Sequence, residues 1–529
     1  MKAQLEPFFS LSVLGLIVPF IVAYALSRER WRKRSRGLPL PPGPKGLPFI
    51  GNVADLHKPE VWKAHRELCN TYGDVVYLTA LGLPIVILGS PRVIFELLEK
   101  RSSLTSDRIQ SPMVPLVGQG GNFSLMPYGN WWRQHRRAFW QHFLPASIER
   151  HVSVQRKYAQ VFMRMLLEDP TRLCDHIRYT FAATVVKITY GVDVARTNDR
   201  YIQLIEKVLS VVVAFTPGRY FIEAFPILRY VPEWVPGAGF QREFREWRAA
   251  AEEVTASLYR EATERGDEDA VNSVVAELAR RPEQGRDDAT SPLNLDVVRN
   301  VGFTAFEGAS RQARPRLSIA DTTVSTLQSF FLAMSLYPEA QRKAQAELDA
   351  VIGPDRLPDY NDRASLPYVN AVVKEALRWQ PVLAFSLPHM TVEDMEYSGY
   401  FIPKDTLLMP NSWACLHDPE AYPEPERFIP DRFMRDGKLD PSVRDPTRFA
   451  FGYGRRICPG RHFADATLFT NIAMILHAFD ITPPLDENGK AIVIEPRMTD
   501  AMLCFPLDCR CTVTPRSSKA RELILAEDP

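Results

Sequence analysis

The stretch Phe449-Ala-Phe-Gly-Tyr-Gly-Arg-Arg-Ile-Cys-Pro-Gly-Arg-His-Phe463 decides how the rest of the chain is read. Gly452, Gly454 and Gly460 surround Cys458, so the backbone there is free to turn tightly and to approach a flat ligand closely. Beyond Gly460, the residues Phe463, Ala464, Thr467, Leu468, Asn471, Ile472, Ile475 and Leu476 recur at helical spacing. The spacing predicts a helix that starts just after the cysteine. Its free N–H groups and positive end are expected to stabilise a thiolate at Cys458. The bland alternative is a buried structural cysteine beside a Gly-rich turn.

Other motifs lie upstream. Glu375-Ala-Leu-Arg378 sits in a helical run ended by Pro381, and residues at i and i+3 share one helix face. Alone, such a pair reads as an ordinary surface ion pair. Phe428-Ile-Pro-Asp-Arg-Phe433 follows, overlapped by a second frame, Pro425-Glu-Arg-Phe428. In Tyr128-Gly-Asn-Trp-Trp-Arg-Gln-His-Arg-Arg137, Trp132 and Arg136 fall at i and i+4, so both can face one ligand. An exposed basic helix is the alternative there, one that Arg133 and Arg137 fit.

The N-terminus carries a membrane signal. Pro7 to Leu26 is an uncharged run of 20 residues rich in Leu, Val, Ile and Phe. As a helix it reaches across a hydrocarbon core at about 1.5 Å per residue. Arg28, Arg30, Arg32, Lys33, Arg34 and Arg36 follow, against Lys2 alone on the other flank, so the body of the protein is expected on the cytoplasmic side. A cleaved secretory peptide would carry its charge before the apolar run and a small-residue site behind it. The segment Leu38-Pro-Leu-Pro-Pro-Gly-Pro-Lys-Gly-Leu-Pro48 cannot be helical and acts as a stiff strap. The organisation expected is an anchor over 1–27, a basic and Pro-rich linker over 28–48, one domain over 49–515 and a polar tail over 516–529.

Composition narrows the function classes. The chain of 529 residues is 46% hydrophobic, which suits a packed globule. Its 64 basic and 63 acidic residues nearly cancel, so no nucleic-acid partner is implied. Seven cysteines are too few, and odd in number, for a disulfide framework. Cys509 and Cys511 alternate as on a strand. Short strands are also expected near Val75–Thr79, Pro84–Leu88 and Tyr397–Ile402, with Cys504–Val513 as the last.

The cysteine loop resembles the haem-binding segment of the cytochrome P450 superfamily, Phe-x-x-Gly-x-Arg-x-Cys-x-Gly. Phe451, Gly454, Arg456, Cys458 and Gly460 fill all five specified positions. The resemblance implies the family's mainly α fold with a small β region, here preceded by an N-terminal transmembrane helix. It implies heme b, with Cys458 as axial ligand of the iron, a ligation that favours O–O cleavage. It assigns Trp132, Arg136, His389 and Arg456 to the haem propionates, which suits arginine's fixed donors. Relatives often follow the position of His389 with Arg, where Met390 stands here. It also makes Glu375, Arg378 and Arg432 a buried structural triad; removing one partner would strand a charge at a cost of about 3–5 kcal/mol.

The pattern breaks in the family's long central helix. Asp321, Thr322 and Thr323 resemble its acid-Thr-Thr signature, in which the acid and the Thr organise proton delivery to bound dioxygen. The expected upstream glycine is missing, and Arg311-Gln-Ala-Arg-Pro-Arg-Leu-Ser-Ile-Ala320 stands before them. Deleting these ten residues joins Phe306-Glu-Gly-Ala-Ser310 to Asp321 and restores the signature. Pro315 is costly in a helix interior, and ten residues at about 100° each leave the flanks out of phase by about 80°. Either an exon-assignment error or splice variant adds ten residues, or a genuine loop alters or abolishes activity. The composition mismatch favours the first.

The reaction implied is insertion of one oxygen atom of O₂ into a lipophilic small molecule. Candidate substrate-facing segments, placed by the resemblance, are Ile109–Met126, Val208–Phe225, Val301–Ala309, Val382–Leu387 and Met498–Cys504, largely apolar. No G-x-G-x-x-G fingerprint is present, so electrons are expected from NADPH through a separate membrane-bound NADPH–cytochrome P450 reductase. Arg133, Arg137, Arg455 and Arg461 would face such a partner, unless they are a solvated surface. The style is that of fungal microsomal members acting on secondary metabolites such as polyketides or terpenoids, single-pass in the endoplasmic reticulum membrane. Rival readings are a haem-thiolate isomerase or dehydratase that does not use O₂, and a haem-binding or sensor protein without activity.

Overall fold

The computed structural model describes residues 22–526 except 24, 197–199, 210, 212–219, 224, 281–293 and 308–321. The molecule is mainly helical with a small β region. Helices α1 (Asn130–Phe143), α2 (Glu149–Glu168), α3 (Leu173–Tyr190), α4 (Phe240–Glu264), α5 (Leu295–Glu307), α6 (Thr322–Leu336), α7 (Pro338–Val351), α8 (Pro367–Trp379) and α9 (Arg461–Ala478) make up most of it.

Two of these helices show why the core forms where it does. In α9 every residue from Ala466 to Ala478 is buried, and in α3 every residue from Tyr179 to Tyr190. A helix apolar on all sides has no solvent face and must lie inside. Around them α2, α6 and α8 close the main core, in which Phe162, Phe330, Phe331, Val369 and Ile472 are fully buried. Helix α1 is amphipathic instead: Trp132, His135, Phe139 and Phe143 face inward while Arg133 and Arg137 face out.

The β region lies to one side. Strands β1 (Val75–Ala80) and β2 (Leu83–Leu88) form a hairpin whose turn residues, Leu81 and Gly82, both take positive φ. The sheet continues through β6 (Leu407–Pro410), parallel to β2, to β3 (His389–Met390), antiparallel to β6. Tyr397–Ile402, expected as one strand, is the hairpin of β4 (Met395–Tyr397) and β5 (Tyr400–Ile402), because Ser398 and Gly399 take positive φ and reverse the chain. Strands β7 (Phe479–Thr482) and β8 (Thr512–Pro515) pair at the C-terminal end.

The expected strand over Cys504–Val513 is corrected. Regular pairing begins only at Thr512. Cys509 points into the core and meets Cys174 of α3 at an Sγ–Sγ distance of 3.1 Å, both thiols free. The expected polar tail over 516–529 is also corrected: Ser518–Leu525 is a helix whose Ala520 and Ile524 are buried in the main core. Ser517 caps it by accepting from the N–H of Ala520.

The apolar stretch Pro7–Leu26 lies mostly outside the described residues. Among the described residues no helix is long and apolar enough to cross a membrane. The linker is bound to the domain at several points. Residues 25–35 are helical, Trp31 packs edge-on against Phe401 at 5.2 Å, and Arg34 makes a two-pronged ion pair with Asp394. Farther on, Pro39 and Pro42 accept from the N–H groups of Phe401 and Tyr77.

Candidate functional site

Cys458 lies between a short turn over Gly454–Arg456 and the start of α9. Its N–H donates to the carbonyl of Phe451 at 2.7 Å, closing the loop. Gly452 and Gly454 take positive φ, as turns of this tightness require. At Gly454 there is a further reason: a Cβ would stand 2.0 Å from the carbonyl oxygen of Leu98. That glycine therefore lets the loop close on the backbone at Leu98.

Burial pushes the Cys458 thiol up, opposed by a hydrogen bond from the Gly460 backbone and by the charges of Arg136 and Arg461. The helix terminus thus favours the thiolate, as expected, while burial works against it. The terminus opposes desolvation without overcoming it. A metal ion does overcome it, since a coordinating thiol is deprotonated outright.

Near the loop several basic side chains gather, with the carboxylate of Asp107 acting on two of them. Arg456 is buried, donates to the carbonyls of Ser106 and Met126 at 2.7 Å each, and stacks on the Trp132 ring at 4.4 Å. Arg136, one turn beyond Trp132 on α1, has no hydrogen-bond acceptor among the described residues. Burial lowers its pKa to about 10, and that of Arg456 also to about 10. His389, on β3, is buried with Nδ1 2.8 Å from the carbonyl of Thr105; burial and the charges of Arg108 and Arg456 hold its pKa well below the usual value.

Arg108 is a member of this group that the sequence reading missed. It is buried, and it donates to the carbonyls of Ser124, Leu387 and Pro388. Burial lowers its pKa strongly, with Arg456 the next cause. The nearby carboxylate of Asp107 is occupied by the backbone N–H groups of Arg108 and Tyr128. The signal in the sequence was slight: one arginine opening an otherwise apolar irregular segment, with no periodicity to place it.

The structure also brings Glu375, Arg378 and Arg432 together. Arg378 grips both oxygens of Glu375 at 2.7 and 2.8 Å, and Arg432 Nε reaches it at 3.2 Å. Glu375 and Arg378 are fully buried, and the remaining donors of Arg378 go to the carbonyls of Leu416, Pro425 and Arg427. Arg427, from the competing frame, is exposed and paired with Glu424. Asp321 and the ten residues 311–320 lie outside the described residues. Thr322 is the first residue of α6, and α5 ends at Glu307.

Of the candidate substrate-facing segments, Phe123, Met126, Val301 and Ala305 share one apolar cluster with Trp132, and the N–H of Phe123 donates to Thr304. Ala384 and Cys504 share another with Trp62 and Trp413. Much of 208–225 lies outside the described residues. The basic residues Arg133, Arg137 and Arg455 are exposed, the first and last bracketing Tyr128, while Arg461 is half-buried.

Three guanidiniums drawn together near the single carboxylate of Asp107, which already accepts from backbone N–H groups, leave an excess of positive charge. A group carrying two carboxylates would restore the balance, and the Cys458 thiol beside it would offer its metal a ligand. Haem fits both requirements. On a mainly helical fold with a small sheet, that combination defines a haem-thiolate protein.

Comparison with known proteins narrows the class. Residues 41–501 match the cytochrome P450 family, and the chain belongs to it. It is 38% identical over 495 residues to cytochrome P450 monooxygenase COX2 of Coprinopsis cinerea, covering 93% of this chain and 92% of that one. It is 37% identical over 523 residues to the tryptamine 4-monooxygenase of Psilocybe cyanescens, covering 96% and 98%. A zebra fish cytochrome P450 solved with abiraterone shares the fold at a TM-score of 0.69 and 22% identity, over 86% of this chain and all of that one. The protein is thus a haem monooxygenase, an oxidoreductase that incorporates oxygen from O₂.

Proposed function

We propose that this protein oxidises a lipophilic small molecule, a fungal secondary metabolite of polyketide or terpenoid type, with electrons drawn from NADPH through a separate membrane-bound reductase. The observation that carries the haem part of this reading is the excess of positive charge in the set of buried Arg108 and Arg456 and half-buried Arg136, with the buried His389 beside them and Arg136 within the electrostatic reach of Cys458. Bound haem would supply the activation of dioxygen. Cys458 would ligate its iron, Trp132, Arg136, His389 and Arg456 would hold its propionates, and Arg108 would join them. The triad Glu375–Arg378–Arg432 fixes α8 to the loop around 423–432. Asp321 and Thr322 carry the proton to the site.

The apolar character of the candidate substrate segments supports a lipophilic substrate. The fungal relatives support the metabolic setting, and one of them is named for tryptamine. The basic run Arg28–Arg36 behind an apolar stretch supports anchorage in the endoplasmic reticulum membrane with the catalytic domain cytoplasmic. The exposed Arg133, Arg137 and Arg455 offer an acidic reductase a face of matching sign.

The test has two stages. Cys458→Ala is expected to lose the thiolate signature in the spectrum of the reduced, carbon-monoxide-bound protein, while Cys415→Ala keeps it. An unaltered spectrum in the Cys458 variant would sink the ligand assignment. Incubation with reductase, NADPH, O₂ and a panel of fungal metabolites then reads the reaction, and product formed without NADPH or O₂ would favour isomerisation or dehydration instead.

A further inference from the structure

Ser386 stands out as a buried, non-glycine residue at φ 53°. This left-handed conformation is costly for a side chain with a Cβ and persists only where the surroundings impose it. The surroundings do so here. Its hydroxyl lies 3.0 Å from that of Ser412, which lies 2.7 Å from the hydroxyl of Tyr453. All three residues are buried, and Tyr453 is completely so. Tyr453 belongs to the cysteine loop, five positions before Cys458. A closed chain of three hydroxyls therefore joins that loop to the segment Val382–Leu387.

The rest of the segment is held by its backbone. The carbonyl of Val382 accepts from Cys504, that of Ala384 from Trp413, and those of Leu387 and Pro388 from Arg108. Val382, Ala384 and Ser386 are buried, whereas the alternate residues Leu383, Phe385 and Leu387 are only half-buried. The Ser386 N–H donates to the Leu383 carbonyl at 3.3 Å, and its hydroxyl adds the side-chain link that fastens this strained position to the cysteine loop. If it relaxed to negative φ, the direction of the chain on either side would change, and with it Phe385 and Leu387.

We propose that Tyr453, Ser412 and Ser386 are positioning residues. Their hydroxyl chain holds Ser386 in the left-handed conformation and so sets where Leu383, Phe385 and Leu387 stand against the substrate. The idea rests on the reading above that Val382–Leu387 faces the substrate beside the haem. A hydroxyl chain is well suited to this task, because removing any one of its members leaves a buried partner unsatisfied.

The experiment uses the full chain loaded with haem and two probes, imidazole and 4-phenylimidazole, each titrated by the shift of the Soret band. Imidazole needs little room beyond the iron, while the phenyl ring of the second probe reaches the cavity wall. The readout is the ratio of the two Kd values. Tyr453→Phe, Ser412→Ala and Ser386→Ala should each change that ratio by about fivefold, equivalent to about 1 kcal/mol, and leave the imidazole Kd within about twofold. Ser412→Thr keeps the hydroxyl and should restore the wild-type ratio. Ser386→Gly loses the hydroxyl but takes positive φ without strain, so its ratio should stay near wild type.

The combination of Tyr453→Phe with Ser386→Ala should shift the ratio no further than either change alone, as expected of one chain. Unchanged ratios in all three chain-breaking variants, or a glycine variant that behaves like the alanine one, would overturn the idea while leaving the haem reading intact. A wild-type protein whose Soret band does not respond to imidazole would defeat the haem reading and this inference with it.

Discussion

His65 is fully buried against Phe385, and neither ring nitrogen has a hydrogen-bond partner among the described residues. Burial lowers its pKa from 6.5 to about 4. Above pH 6.5 the ring is neutral in both folded and unfolded chains, and the shift has no effect on stability. As pH falls below 6.5 the unfolded chain binds a proton that the folded one refuses, so stability is lost progressively until about pH 4. At pH 5 the loss is about 2 kcal/mol. His65→Leu is therefore expected to gain about 2 kcal/mol over the wild type on going from pH 7 to pH 5 in urea unfolding, and an identical difference at both values would refute the assignment. Single positions differed in how far the sequence revealed them. Arg456 and Cys458 stand at fixed spacing in a five-residue motif, and Trp132 and Arg136 on one helix face, so all were nameable in advance. Arg108 was not, because its place beside Arg456 comes from the fold of an irregular loop. The Ser386 hydroxyl chain was equally hidden: its members are 26 and 41 positions apart in their successive bonds.

At the scale of elements, the helix of residues 25–35 is fastened to the β4–β5 hairpin by Arg34 and Trp31. Arg34 holds the Asp394 carboxyl below the usual carboxylate range, so the pair is charged at neutral pH. Exposed pairs of this kind contribute about 0–1 kcal/mol to overall stability, but a short element with few other contacts depends on them more. Asp394→Asn should leave the thermal midpoint of the domain within about 1–2 °C, while trypsin cleavage within Arg28–Arg36 accelerates several-fold. Cleavage at the wild-type rate would mean that Trp31 and the proline strap hold the helix without the ion pair. Elements with strong periodicity, such as α9 and α8, were legible because burial on a repeating face writes itself into the sequence. The β4–β5 hairpin was read as one strand because its turn rests on Ser398 at positive φ, which composition does not announce. The final helix escaped notice because only Ala520 and Ile524 of its eight residues are buried, too few to make a pattern.

For the molecule as a whole, the unbalanced charge at the haem site makes folding and haem binding interdependent. Arg136 is half-buried beside Arg456 and Arg461 with no hydrogen-bond acceptor among the described residues, and burial lowers its pKa. A desolvated cation without a partner destabilises the fold. When haem is bound, the same guanidinium gains a carboxylate and becomes stabilising, and ligand binding at a thousand times its Kd adds about 4 kcal/mol more. Arg136→Met should consequently act with opposite sign in the two forms. The haem-free variant should unfold at higher urea than the haem-free wild type, because the side chain leaves no carbonyl unsatisfied when removed. The haem-loaded variant should release haem faster to an acceptor globin, by about 10-fold for a lost charge-assisted contact of about 1.4 kcal/mol. The gap in stability between loaded and haem-free protein should then narrow in the variant. A loss of stability of equal size in both forms would mean that Arg136 serves packing alone, and that the gathering of cations above Cys458 is not what selects a dianionic ligand.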